Sequence, residues 1–116
     1  MAARRPSQQK KAGPGTEGLS FQFSAPLWEY QGKGAWHFVT LPKGVADEVR
    51  FFGQAAKGFR MVAVRATIGA SSWQTSLFPD SASQSYLLPV KAEVRKREAL
   101  AKGQVVQVAI CIAARL

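Results

Sequence analysis

In residues 86–112 a short apolar run, Tyr-Leu-Leu-Pro-Val, gives way to a charged segment ending at Leu100-Ala101-Lys102-Gly103, and a long β-branched run follows to Ile112. The middle segment is predicted helical, because Glu93 with Arg97 and Glu98 with Lys102 are both i,i+4 pairs with the acid N-terminal to the base. Gly103 suits the C′ position that stops such a helix. In the final run Val106, Val108, Ile110 and Ile112 share one face and Val105, Gln107, Ala109 and Cys111 the other, so a nearly two-sided, central strand is expected. The result is a strand–helix–strand unit whose two strands both need partners from the rest of the chain.

Those partners are visible upstream as period-two alternation. Leu19, Phe21, Phe23, Ala25 and Leu27 alternate with Ser20, Gln22, Ser24 and Pro26, the pattern of a half-buried strand. The turn Gln31-Gly32-Lys33-Gly34 leads to a second strand over residues 36–41, which places Trp36, Phe38 and Thr40 on one side. After Pro42, Val45, Val49, Phe52 and Ala56 recur at helical spacing, with Phe51 widening the stripe. Gly58 opens a third strand in which Val62, Val64, Ala66 and Ile68 share a face. Gly69-Ala70-Ser71 forms a turn, residues 73–78 a fourth strand, and residues 86–88 a short fifth one. Six strands and two short helices point to a mainly β fold, a small barrel, closed or split, since closure removes the edges that so small a sheet would expose. A sandwich-like α+β domain is the main alternative.

At 116 residues the chain has room for one core. Residues 1–18 carry repeated Gly and Pro without apolar periodicity and are expected to form a flexible basic tail, leaving residues 19–116 as a single domain. A hydrophobic content of 47% is too high for a disordered chain. No apolar run reaches the roughly 18 residues of a spanning helix, and no secretory signal is present, so the expected setting is cytoplasmic, with no membrane association. Cys111 has no partner for an intramolecular disulfide and is expected as a buried small hydrophobe. The net charge is +9, of which the tail carries +3 and the remainder +6. That balance permits attraction to polyanions without demanding it.

Three stretches taken together carry a resemblance. Gly34-Ala35-Trp36-His37-Phe38-Val39-Thr40-Leu41-Pro42, then Trp73-Gln74-Thr75-Ser76-Leu77-Phe78-Pro79, then Tyr86-Leu87-Leu88-Pro89-Val90-Lys91-Ala92-Glu93-Val94-Arg95-Lys96, with Gly103, Val106 and Val108 beyond, make a chain that resembles the bacterial domain of unknown function 1905. The likeness runs from about Phe21 to the C-terminus and implies a small split β-barrel. In some relatives the domain precedes a second one associated with bacteriocin protection; here a stand-alone domain is expected. The family pattern has Gly-Asp where this chain has Gly103-Gln104, so no role for that carboxylate carries over.

The chemistry-bearing residues are sparse. One His and one Cys do not make a metal site, and no metal or cofactor is expected. His37, between Trp36 and Phe38, reads as a packed or sheet-surface histidine rather than a base. No Gly-x-Ser-x-Gly elbow presents a nucleophile, Asp47 and Glu48 diverge on their helix, and the tail glycines follow no strand. No catalytic residue is therefore assigned. Most aromatic residues are expected in the core, with Trp73 as the exception: beside Gln74, Thr75 and Ser76 it could line a cleft. Lys91, Arg95, Lys96, Arg97 and Lys102 form the densest cationic group, with Lys91, Arg95 and Lys102 on neighbouring parts of the helix. Arg95 could grip a phosphate or carboxylate, with Lys91 adding charge near the helix N-terminus; the bland reading is a solvated face.

The candidate ligand-binding residues are thus Trp73, Thr75, Lys91, Arg95 and Lys96. The first reading is an uncharacterised bacterial binding module whose unknown ligand is anionic. The second is a nucleic-acid-binding or regulatory protein, for which a contiguous basic face would be needed. The third is an enzyme with a barrel-cleft site built around His37 or a carboxylate. The oligomeric state is left open.

Overall fold

The structure, a computed structural model, describes residues 19–52 and 61–112. The expected tail over residues 1–18 and the expectations for Ala56 and Gly58 lie outside the described residues. Within them the order is β1 (Leu19–Glu29), β2 (His37–Thr40), α1 (Lys43–Phe52), β3 (Val62–Ile68), β4 (Ser71–Asp80), β5 (Ser85–Pro89), α2 (Ala92–Arg97) and β6 (Val105–Ile112). The strands close into an antiparallel barrel in the order β1-β2-β5-β4-β3-β6. The expected mainly β barrel with two helices is what forms.

Closure with such short strands depends on two long ones that change partner along their length. β1 pairs with β6 from Leu19↔Ile112 to Pro26↔Val105, then with β2 from Leu27↔Val39 to Glu29↔His37. β4 pairs with β3 from Ile68↔Ser71 to Val62↔Leu77, then with β5 from Phe78↔Leu87 to Asp80↔Ser85. Inward positions of every strand meet in one core that includes Leu27, Val39, Val64, Leu77, Leu88 and Ile110. Burial of such side chains contributes roughly 1.5–3 kcal/mol each.

The helices sit against this barrel. The α1 stripe is Val45, Ala46 and Val49, and the helix packs beside β5. Phe51 does not widen it and is 73% exposed, because two residues beyond Val49 is a turn of about 200° around the helix. α2 is shorter than the charge spacing predicts. It ends at Arg97 with Glu98 as its C-cap. The Glu93–Arg97 pair forms, at 3.9 Å, whereas Glu98 turns away from Lys102 and accepts from Ser71 Oγ at 2.6 Å and from the Ala70 N–H at 3.2 Å. Lys102 pairs with Glu29 instead, at 3.6 Å. The C′ residue is Ala99 and not Gly103, which with φ +89° turns the chain into β6. Leu100 N–H donates to Arg95 O at 2.8 Å and Ala99 N–H to Lys96 O at 3.3 Å, the two bonds of a Schellman ending.

β6 lies between β1 and β3, so the expectation of a central strand holds, but only one of its faces is in the core. Val105 is 62% exposed and Cys111 is exposed, contrary to the expectation of a buried thiol. Cys111 stands opposite Ser20 on β1 and Arg65 on β3, a polar outer row. Among the described residues no helix is long and apolar enough to cross a membrane.

Candidate functional site

The site begins where β4 and β5 part. Along a strand, successive residues turn their N–H and C=O groups to opposite neighbours. The tight turn at Gly69-Ala70 makes Ser71 and Ile68 a bonded pair, so residues 71, 73, 75 and 77 bond toward β3. Residues 72, 74, 76 and 78 therefore face the β5 side. Phe78 meets Leu87 there. Continued by two residues, the same register would set Ser76 opposite Pro89, which has no N–H to give. The ladder stops at that point, β5 stays with β2 through Phe38↔Pro89, and the chain leaves through Val90 and Lys91 into α2.

The gap so opened is a cleft of about 750 Å³, within the usual range for ligand sites. One wall is β4 from Trp73 to Ser76, with Phe78. The opposite wall is Pro89, Val90, Lys91, Ala92 and Arg95. The rim is formed by residues 34–37 and by Met61. Among the described residues no Asp or Glu lines the cleft, while Lys91 and Arg95 do, so the charged groups described there are cationic.

Each wall is held in place by identifiable contacts. Arg95 Nε donates to Val90 O at 3.1 Å, which fixes the guanidinium base and leaves its terminal nitrogens without a described carboxylate in ion-pair range. Lys91 Nζ lies 3.8 Å from Glu93 Oε1, an exposed and therefore weak pair. His37 Nδ1 is 3.0 Å from Ala35 O; since a carbonyl only accepts, Nδ1 carries the hydrogen and Nε2 is the acceptor of the neutral ring. Trp36 is 54% exposed at the rim and stacks on Phe38, with centroids 6.1 Å apart and planes 8° from parallel. Phe38 also packs against Trp28, whose indole N–H donates to Thr40 Oγ1 at 2.8 Å. Trp73 is 7% exposed and belongs to the core, yet its indole N–H has no acceptor among the described residues. A buried indole N–H ordinarily finds one.

Four of the five candidate residues, Trp73, Thr75, Lys91 and Arg95, come together around this cleft. Lys96 is exposed on α2 and does not line it, because one step beyond Arg95 turns the side chain about 100° away. With six residues, α2 is too short for its N-terminus to be an anion site, so the cationic character rests on the two side chains. Trp36, Phe78, Met61 and Pro89 are lining residues that sequence reasoning passed over. The signal for Trp36 was its phase with Phe38, opposite to core residues Val39 and Leu41. Among the described residues no group of His, Cys, Asp or Glu could hold a metal ion.

No curated protein sequence matches this chain. A family model does match it, over residues 23–110, a span that takes in β2 to β5, most of β1 and β6, and every described residue of the cleft. The chain belongs to the family described as domain of unknown function (DUF1905).

Proposed function

We propose that the protein is a binding module that takes an anionic ligand in the cleft between β4 and the β5–α2 segment. The observation that carries this reading is the composition of the lining among the described residues: Lys91 and Arg95 with no carboxylate, beside a nearly buried tryptophan whose N–H has no described acceptor. Arg95 presents a fork suited to a carboxylate or phosphate, Lys91 adds a point charge, and the Trp73 indole donates to an oxygen of the ligand. Thr75 is the inward neighbour that adds a hydroxyl to the same wall.

The nucleic-acid reading has less support. Among the described cations, Lys43, Arg50, Lys91, Arg97 and Lys102 each lie within 4.0 Å of a carboxylate, which breaks up the contiguous basic face that a phosphate backbone requires. An enzymatic reading has less support as well, since among the described lining residues His37 stands without an acid to pair with it.

The test is a titration of the full chain with phosphate, pyrophosphate and acetate, followed through the amide signals of residues 73–76 and 90–95. Saturable shifts confined to those residues are expected, and Arg95→Ala is expected to weaken binding tenfold or more. Trp73→Phe, which keeps the ring and removes the donor, is expected to weaken it about fivefold, in line with loss of one hydrogen bond of about 1 kcal/mol. Unchanged signals with all three anions would rule the reading out.

A further inference from the structure

We infer that the ligand is the free carboxy-terminal end of an extended peptide, laid along β4 as an added strand. This rests on the anionic reading of the cleft and adds what carries the charge. The backbone groups of Gln74 and Ser76 turn toward the cleft by the alternation that sends Ser71 to β3 and Phe78 to β5, and β5 pairs with β4 at residues 78–80 only. Two such residues repeat their donors and acceptors about 6.6–6.8 Å apart, twice the rise per residue of a strand, which is the spacing of a second extended chain. A small inorganic anion has no use for that repeat. An exposed edge of this kind binds by main-chain hydrogen bonds, with alternate side chains seated in pockets.

The end of the cleft says why a terminus fits and a through-running strand does not. At Ser76 the gap closes, because Pro89 and then the β4–β5 ladder occupy the place an added strand would continue into. An added segment must stop there, and Lys91 and Arg95 line the cleft just past Pro89. A carboxylate that ends in this cleft shares it with both cations and, among the described residues, with no lining carboxylate. The segment then runs parallel to β4, two or three residues lie within the cleft at about 3.3 Å each, and the last side chain rests among Trp73, Val90 and Met61, which favours an apolar terminal residue.

The test uses the full chain labelled for amide detection and N-acetyl tripeptides ending in Ala, Leu or Phe, each as the free acid and as the C-terminal amide, with acetate and phosphate as separate probes. At least one free acid is expected to bind ten or more times tighter than its amide and to shift the Gln74 and Ser76 amides, and Arg95→Gln is expected to abolish the preference. Lys91→Gln, which removes charge without touching the Arg95–Val90 contact, is expected to reduce it. Equal binding of acid and amide, or peptide binding that leaves Gln74 and Ser76 unmoved, overturns the inference. Shifts with acetate or phosphate and none with any peptide overturn it while leaving the anion cleft intact. Silence with every probe overturns both.

Discussion

Ala99 holds φ +52° at the C′ position of α2, a left-handed conformation that costs an L-residue roughly 1–2 kcal/mol and glycine almost nothing. Ala99→Gly is accordingly expected to raise stability by about 0.5–1 kcal/mol in a denaturant melt, the gain being trimmed by the greater freedom of glycine in the unfolded chain. Glu98, its neighbour, has a different role. Its carboxylate accepts from Ser71 Oγ and Ala70 N–H and so ties the end of α2 to the β3–β4 turn. Ser71 is 2% exposed, and Glu98→Ala would leave its hydroxyl and that turn without their acceptor, a loss of about 1–3 kcal/mol by the same melt. The turn itself is built around this carboxylate, since Gly69 has φ +60° and a Cβ there would run into Glu98. The i,i+4 rule that pairs Glu98 with Lys102 in the sequence assumes the helix continues; once Ala99 reverses the backbone, the two no longer share a face.

At the scale of elements, the strands were readable because alternation needs no knowledge of partners: Leu19 to Leu27, Val62 to Ile68 and Val106 to Ile112 alternate whichever strands they meet. Which side of a strand faces inward is another matter. Trp36 and Phe38 share a side as the sequence implies, but that side is outside, because Val39 and Leu41 take the inner positions. Cys111 likewise belongs to a row whose exposure is set by Ser20 and Arg65 across the sheet, neither of them near it in the chain. The grouping of Trp73 and Thr75 with Lys91 and Arg95 follows from one proline that neither local pattern mentions. Pro89 denies Ser76 a donor, and the ladder yields to a cleft. Pro89→Val is expected to let β5 pair with β4 for one further residue, seen as slower amide exchange at Pro89's replacement and weaker anion binding as the cleft narrows.

For the molecule as a whole, the ionisable group that burial acts on among the described residues is Tyr86, 1% exposed in the barrel core. Burial raises its phenol above the ordinary value of 10.0, and Arg50, which also donates a hydrogen bond to it, offsets part of that rise. In the unfolded chain the phenol ionises near 10, while the native state keeps its proton, so this contribution is complete below pH 10 and is lost as pH climbs toward the native value. The unfolding free energy is expected to fall above pH 10 by at most about 1.4 kcal/mol per pH unit from this group, and Tyr86→Phe should flatten that part of the curve relative to wild type. A different consequence follows from the pairing of β1 with β6. Leu19 lies opposite Ile112, so the first strand finds its long partner only in the last one. On the ribosome β1 emerges early and waits through the synthesis of every other strand with an open edge. The barrel can close only once residue 112 has been made, and until then β1 keeps an open edge over residues 19–26, the kind of edge that mispairs.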